Sequence, residues 1–182
     1  MTKIAVLVGS LRKESVNRKF AGALEKLAAG QMEFTYVELA NLPHYNDDLW
    51  DNVPDSVTQL KAAIDGADGV LMVIPEYNRT YPGVIKDAID WASRPWGKSS
   101  WPGKPVAITG TSPGAIGTAI AQHQLRTAMV ASGTAVMGQP ELYYAYKPEH
   151  FGANGDIVDE ATRTYLADWI GSFAGWIAKT GK

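Results

Sequence analysis

The sequence predicts an α/β fold in which a parallel sheet carries helices on both faces. Short apolar runs alternate along the chain with stretches whose apolar residues recur at helical spacing. The run at 69–74 (GVLMVI) is apolar on both faces, as expected for a central parallel strand. The first run, at 3–8, is followed by a glycine, small polar residues and a helical pattern. This order of strand, turn and helix is typical of proteins with parallel sheets.

Local patterns predict five strands and five helices, taken here in chain order. Apolar or alternating runs indicate strands, and apolar positions three and four residues apart indicate helices. The predicted strands lie at 3–8, 32–39, 69–74, 105–109 and 134–137, and the predicted helices at 16–28, 55–64, 84–92, 118–131 and after residue 158.

Turn residues and breaks in periodicity set the bounds of these elements. Gly30 ends the first predicted helix, and Pro75 stops the third strand. Residues 40–54 combine prolines, asparagines and acidic residues, so we expect a loop there. The segment 138–158 is expected to be irregular. An apolar stripe from Tyr165 to Ile177 indicates the last helix.

Five alternating strands with a polar turn after the first favour the flavodoxin-like strand order 2-1-3-4-5 over a six-stranded dinucleotide-binding sheet. Nothing in the sequence suggests an internal repeat, a low-complexity tract or a linker. We therefore expect residues 1–182 to form a single flavodoxin-like domain.

Composition excludes several classes of function. The formal net charge is −2, so no broad basic surface favours nucleic acid as a partner. The 182 residues include no cysteine, which excludes disulfides and thiol catalysis. The apolar run at 4–8 is too short for a signal peptide, and no window is long enough to span a membrane. We therefore expect a cytoplasmic protein with no membrane partner.

The turn after the first strand, GSLRKESVN at 9–17, has the composition of a phosphate site. It offers the hydroxyls of Ser10 and Ser15, the guanidinium of Arg12 and the amide of Asn17 at the start of a helix. Free N–H groups and a partial positive charge at a helix start favour anions. A simpler interpretation is also open, in which Ser15 only caps the helix and the basic residues are solvated.

The predicted fold brings this turn together with two other loops. Loops that follow neighbouring strands of a parallel sheet emerge at one edge, where such folds bind ligands. The second loop, PEYNRTYPG, contains Tyr77, and the third, GTSPGAIG, contains Ser112 and Gly114, which are small enough for a flat ring to approach. A phosphate at one end and a planar ring at the other indicate flavin mononucleotide (FMN).

The sequence offers little support for other kinds of site at these residues. The dinucleotide motif GxGxxG is absent after the first strand, and WGKSS at 96–100 lacks the first glycine and strand of a P-loop. The three histidines lie far apart in sequence, so we expect no metal site. Glu76 is a candidate general acid or base, although a role in orienting its loop fits better. Glu14 is expected to be solvated or to help cap the first helix.

Two stretches together carry a family resemblance: GSLRKESVN at 9–17, and PEYN at 75–78 with YPGVIKDAIDW at 81–91. With them, the chain resembles the NADPH-dependent FMN reductase family, and within it the bacterial chromate and quinone reductases. LPHYNDDL at 42–49 and GAIGTAIAQHQLR at 114–126 are similar to the same group. The resemblance extends from residue 3 to about residue 140.

The resemblance implies FMN as cofactor, NADPH or NADH as co-substrate, and a set of contacts. Phosphate contacts are implied for Ser10, Arg12, Ser15, the backbone of Val16, and Asn17. Contacts with the isoalloxazine ring are implied for Pro75, Glu76, Tyr77 and Asn78, and Ser112 and Gly114 would close the ring pocket. It also implies a homodimer or homotetramer with flavin sites near subunit contacts, for which the candidate aromatic residues are Trp91, Trp96, Trp101, Tyr143 and Tyr144.

The implied function is an FMN-dependent NAD(P)H oxidoreductase. We expect hydride transfer from NAD(P)H to flavin N5 and then to an acceptor at the same face, in a ping-pong scheme with few side chains acting chemically. Small-molecule acceptors are expected, namely quinones and also chromate, azo dyes or free flavin. Two other functions stay open: a flavodoxin-type electron carrier without its own NAD(P)H turnover, and a phosphate-ligand binding domain with no redox role.

Overall fold

The computed structural model describes residues 1–181. Its strands are β1 (Thr2–Val8), β2 (Met32–Tyr36), β3 (Gly69–Val73), β4 (Pro105–Ser112), β5 (Ala135–Val136) and β6 (Tyr143–Ala145). Its α-helices are α1 (Val16–Leu27), α2 (Asp55–Asp65), α3 (Gly83–Ala92), α4 (Ala119–Ala131) and α5 (Glu160–Thr180). Five strands lie in the order β2-β1-β3-β4-β5, and β6 pairs with β4. The predicted α/β fold and its strand order are confirmed.

All strand pairs of the sheet are parallel, and their register aligns the strand ends. Val8 at the end of β1 lies opposite Val73 of β3, and Val73 lies opposite Thr109 of β4. The polypeptide therefore leaves three neighbouring strands at one edge of the sheet. The loops that follow β1, β3 and β4 meet there because of this register.

The helices cover both faces of the sheet, and each face has its own apolar core. Helices α1 and α5 pack on one face, where Phe20, Leu24 and Phe173 are fully buried. Helices α2, α3 and α4 pack on the other face around residues such as Leu60 and Leu125. Successive residues of β1 enter opposite cores, because side chains alternate along a strand.

Glycine at position 69 permits the close approach of α5 to β3. A Cβ atom at Gly69 would lie 2.7 Å from Cδ1 of Ile177. A larger residue would therefore push the last helix away from the sheet. Among the residues described, no helix combines the length and apolar character needed to cross a membrane.

The main differences from the predicted elements lie in the second strand, in the segment 138–158 and at the end of β4. The second strand ends at Tyr36 rather than at residue 39, because its pairing with β1 ends where Tyr36 lies opposite Val6, apart from one last hydrogen bond from the amide of Val37 to the carbonyl of Val6. The prediction that 138–158 is wholly irregular is wrong at β6, which pairs with Gly110–Ser112 at the end of β4. This pairing extends β4 to Ser112, beyond its predicted end at residue 109.

Candidate functional site

The first loop leaves β1 at Gly9 and reaches α1 within a few residues. The amide of Gly9 donates a hydrogen bond to the carbonyl of Val73, at 3.0 Å, which continues the sheet by one residue. A Cβ atom here would lie 2.9 Å from Cγ1 of Ile85, so glycine lets the loop pass close to α3. Beyond Gly9, Ser10 is half-buried and Arg12 is exposed, so both side chains remain accessible to a ligand.

The start of α1 has the features of an anion site. Ser15 caps the helix, and its hydroxyl oxygen accepts a hydrogen bond from the amide of Arg18 at 3.2 Å. The first turn contains no acidic residue. Glu14 precedes it, but a hydrogen bond and ion pair with Lys19 hold the pKa of this exposed carboxyl below its usual value. The Glu14 charge is thus offset locally, which leaves the helix start favourable for an anion.

Asn17 ties the first loop to the third. Its side chain is buried, and its amide nitrogen donates to the carbonyl of Thr111 at 3.0 Å. The side-chain amide oxygen of Asn17 accepts a hydrogen bond from the backbone N–H of Thr111 at 2.9 Å. The side chain therefore bonds like a peptide group of a neighbouring strand. A phosphate contact from Asn17 stays a prediction, and its main-chain N–H is the group available for it.

The second loop forms a tight turn that lies immediately after β3. Pro75 is buried, and the backbone groups of Tyr77 and Thr80 bond to each other at 3.0 and 3.1 Å. The two central residues, Asn78 and Arg79, have positive φ angles of 51° and 67°. This left-handed conformation is uncommon for arginine and marks a constrained turn. Tyr77 is 48% exposed and projects at the edge of the sheet.

Glu76 connects this turn to helix α4. One carboxylate oxygen accepts hydrogen bonds from the amides of Ile120 and Ala121, at 3.1 and 3.2 Å. The other oxygen accepts from the guanidinium of Arg79 at 3.1 Å. The side chain of Glu76 is 9% exposed. Both oxygens are thus committed to groups of the protein itself.

The third loop follows β4 and is folded tightly on itself. The hydroxyl of Ser112 donates to the carbonyl of Gly117 at 2.6 Å. Gly117 has a positive φ of 59°, and a Cβ atom there would lie 3.0 Å from the backbone nitrogen of Tyr144. Gly114 is exposed at the tip of the loop. Because glycine has no side chain, a flat ligand can approach the main chain closely at Gly114.

The segment around β6 supports this loop, and sequence reasoning missed it. The hydroxyl of Thr111 donates to the carbonyl of Tyr144 at 2.7 Å, and the amide of Tyr146 donates to the carbonyl of Ser112 at 2.8 Å. Burial raises the pKa of the Tyr144 hydroxyl. A strand signal exists in LYYAYK at 142–147, but it is too short to be separated from loop by pattern alone.

Of the five aromatic residues that are candidates for subunit contacts, three lie in the core and two lie at or near the surface. Trp91 and Trp101 are fully buried, and their indole N–H groups donate to the carbonyls of Pro43 and Ile89. Tyr144 is also buried, so these three cannot contribute surface contacts. Trp96 is 91% exposed and Tyr143 is half-buried, and both stay candidates. Within residues 1–181, no group of three or more acidic or histidine side chains is arranged to hold a metal ion.

A parallel sheet in the order 2-1-3-4-5, with a turn after its first strand that has the features of an anion site, defines a flavodoxin-like fold. The sequence model of the family described as NADPH-dependent FMN reductase matches residues 2–149. The chain belongs to this family. The predicted resemblance is therefore confirmed, and with it the dependence on FMN and NAD(P)H.

Individual relatives extend the similarity over nearly the whole chain. The 2-hydroxy-1,4-benzoquinone reductase of a Burkholderia species is 49% identical over 175 residues, which cover 96% of each chain. A quinone reductase of Pseudomonas putida is 43% identical and covers 96% of this chain and 94% of its own. The solved structure of FerB, a flavoenzyme NAD(P)H:(acceptor) oxidoreductase from Paracoccus denitrificans, superposes with a TM-score of 0.98 at 49% identity, covering 100% of both chains.

Proposed function

We propose that this chain is an FMN-dependent oxidoreductase that takes hydride from NADH or NADPH and reduces quinones. The observation that carries the proposal is the meeting of three loops, 9–17, 75–80 and 110–117, at one edge of the sheet. Family membership and the names of the relatives support the cofactor and the acceptor class.

The first loop fits the phosphate. Ser10 and Arg12 have accessible hydroxyl and guanidinium groups, and Ser15 has a hydroxyl at the helix start. The main-chain N–H groups of Val16 and Asn17 belong to the first turn of α1 and have no carbonyl partner within the helix. This set of donors, with one fixed positive charge, suits a phosphate dianion.

The second and third loops fit the ring. Pro75, Glu76, Tyr77 and Asn78 form one wall, and Ser112 and Gly114 form the other. The rigid turn at 77–80 presents main-chain groups, and Gly114 leaves its backbone open to a planar ligand. Hydrogen-bond donors fixed in this way would stabilise the negative charge of a reduced flavin.

Bound FMN would supply the hydride chemistry, so this chain's residues need only bind, orient and leave one face open. Four apolar side chains at the site edge are exposed, between 38% and 54%: Leu11, Tyr77, Ile116 and Ile120. An open apolar rim suits flat acceptors such as quinones and does not select strongly among them. Chromate, azo dyes and free flavin are further proposed acceptors.

The experiment is steady-state oxidation of NADH and NADPH by the purified protein reconstituted with FMN, with 1,4-benzoquinone as acceptor. We expect flavin absorption bands that remain after gel filtration, turnover that depends on quinone, and parallel lines in double-reciprocal plots. An electron carrier would bind FMN but would not turn over NAD(P)H. A phosphate-binding domain would stay colourless after FMN is added, and either result would overturn the proposal.

We also propose that the chain assembles as a homodimer or homotetramer and acts in the cytoplasm. The resemblance to the family supports both statements. For assembly, the exposed ring of Trp96 adds support, because large aromatic side chains are enriched at protein interfaces. Light scattering at micromolar concentration measures the mass, and a monomer would contradict the proposed assembly.

A further inference from the structure

Helix α4 begins without a side-chain cap from its own chain segment. The residue before it, Thr118, makes no capping hydrogen bond, and its hydroxyl oxygen accepts from the side chain of Gln122 instead. The first amides of a helix have no partner within the helix and need one from outside. Glu76 supplies it by accepting from Ile120 and Ala121, which lie more than forty residues further along the chain.

The turn that carries Glu76 is held to α4 at a second point. The carbonyl of Arg79 accepts a hydrogen bond from the side-chain amide of Gln124 at 3.0 Å. The guanidinium of Arg79 bonds back to Glu76. Two contacts to one helix, with an ion pair between them, fix a turn whose left-handed residues are unfavourable by themselves.

These contacts point to a role for Glu76 that is separate from chemistry on the substrate. A carboxylate that is 9% exposed and bonded at both oxygens has no free oxygen to exchange protons with a ligand. A negative charge at a helix start is favourable, and it does not need to move during a reaction.

We infer that Glu76 is a positioning residue of the FMN site. Its carboxylate fixes the 75–80 turn to α4, and its side chain acts on the flavin ring only through the main chain of that turn. The inference rests on the proposed function, because it assumes that the ring lies against this turn. The inference separates two contributions to FMN binding: that of the loop 9–17, which would hold the phosphate, and that of the turn 75–80, against which the ring would lie.

The experiment compares Glu76→Ala and Glu76→Gln with wild type, using quenching of FMN fluorescence and the visible spectrum at saturating FMN. Glu76→Ala should raise the Kd for FMN about tenfold or more and change the shape of the flavin bands, because the ring is misplaced. Glu76→Gln keeps an oxygen that accepts from the helix amides, so it should recover most of the affinity and the wild-type spectrum.

Two variants serve as controls. Like Glu76, Glu160 forms an ion pair with an arginine three residues later in the chain, Arg163. Glu160 lies on α5, so Glu160→Ala should leave the Kd for FMN and the flavin spectrum unchanged. Arg12→Ala should raise the Kd while the spectrum of the bound flavin stays that of wild type, because only the phosphate end is affected.

The outcomes separate the inference from the proposed function. Wild-type protein that binds no FMN would overturn both. Wild-type protein that binds FMN, with Glu76→Ala equal to it in Kd and spectrum, would overturn the inference alone. If Glu76→Ala does not fold, Glu76→Asp tests the same contact, because its shorter side chain withdraws the carboxylate from the amides of Ile120 and Ala121. Glu76→Asp should raise the Kd severalfold, and an unchanged Kd and spectrum would overturn the inference.

Discussion

Replacing Asn17 with alanine tests whether the buried link between the first and third loops holds the site together. The substitution removes the donor and the acceptor that bond to the backbone of Thr111. Thr111 is 1% exposed, so water does not easily replace the lost partner. The N–H and C=O groups of Thr111 would therefore be left buried without hydrogen bonds.

The expected cost follows from these two groups. Leaving one buried polar group unsatisfied costs about 1–3 kcal/mol, so Asn17→Ala, which leaves two, should lower the free energy of unfolding by about 2–6 kcal/mol. A typical domain is stable by about 5–15 kcal/mol, so the variant should still fold. Urea unfolding followed by circular dichroism measures the change, both without FMN and with saturating FMN.

Asn17→Asp is the matched variant because it keeps the oxygen that accepts from Thr111 but replaces the donor with an oxygen that faces the carbonyl of Thr111. Since Asn17 is 2% exposed, this places a charged acceptor against another acceptor in a buried site, so at pH 7 without FMN we expect a loss at least as large as for Asn17→Ala. Asn52→Ala, at an exposed asparagine, should change stability by less than about 0.5 kcal/mol. If Asn17→Ala costs less than about 1 kcal/mol, the bonds seen between α1 and β4 do not stabilise the protein as argued.

Three further predictions concern the loop 9–17, the packing of β4 and the hydroxyl of the half-buried Tyr143. Arg12→Ala should weaken FMN binding by about 1.5–3 kcal/mol, the scale of a hydrogen bond to a charged group, and fluorescence titration giving the wild-type Kd would contradict the phosphate assignment. Gly110→Ala should lower the free energy of unfolding by more than about 3 kcal/mol, because its Cβ would overlap the carbonyl oxygen of Ile74, whereas Gly22→Ala, in open space, should be tolerated. Burial and a hydrogen bond with Glu141 raise the pKa of Tyr143 to about 12, above the value of about 10 in an unfolded chain. The stabilisation that the protonated Tyr143 hydroxyl gives to the folded state is complete below pH 10 and is lost between pH 10 and 12. In Tyr143→Phe, the urea midpoint should therefore fall less steeply with pH over that interval than in wild type.

The sheet was predictable because its signals are local. The runs at 4–8 and 69–74 consist of apolar residues, and their short length and flanking residues fit strands better than helices. The strand order followed from the alternation of strands and helices together with the polar turn after the first strand. β6 was not predictable in this way. Its three residues become a strand only through pairing with the end of β4, which is a tertiary contact.

The candidate site was predictable as a set of loops but not as a set of contacts. The pattern at 9–17 indicated a phosphate turn, and the register of β1, β3 and β4 brings the expected loops together. The sequence did not reveal that Asn17 bonds to Thr111, because the two residues are 94 positions apart and hydrogen-bond partners leave no local pattern. The loop-orienting role favoured for Glu76 agrees with its contacts, although its partner helix could not be identified from the sequence.

The distribution of buried and exposed groups at this edge explains how one site could serve several acceptors. Asn17 links the first and third loops through buried bonds, and Glu76 links the second loop to α4 through a side chain that is 9% exposed. Under the proposed function, these links preorganise the surface that holds FMN. Leu11 and Ile116 have exposed side chains, and in the proposed site they would make the acceptor rim apolar without closing it. Under the proposed function, a change of acceptor then requires no rearrangement of the loops that hold the cofactor. Substitutions at the rim should therefore alter the preference among acceptors, whereas substitutions at the links should alter FMN binding with every acceptor alike.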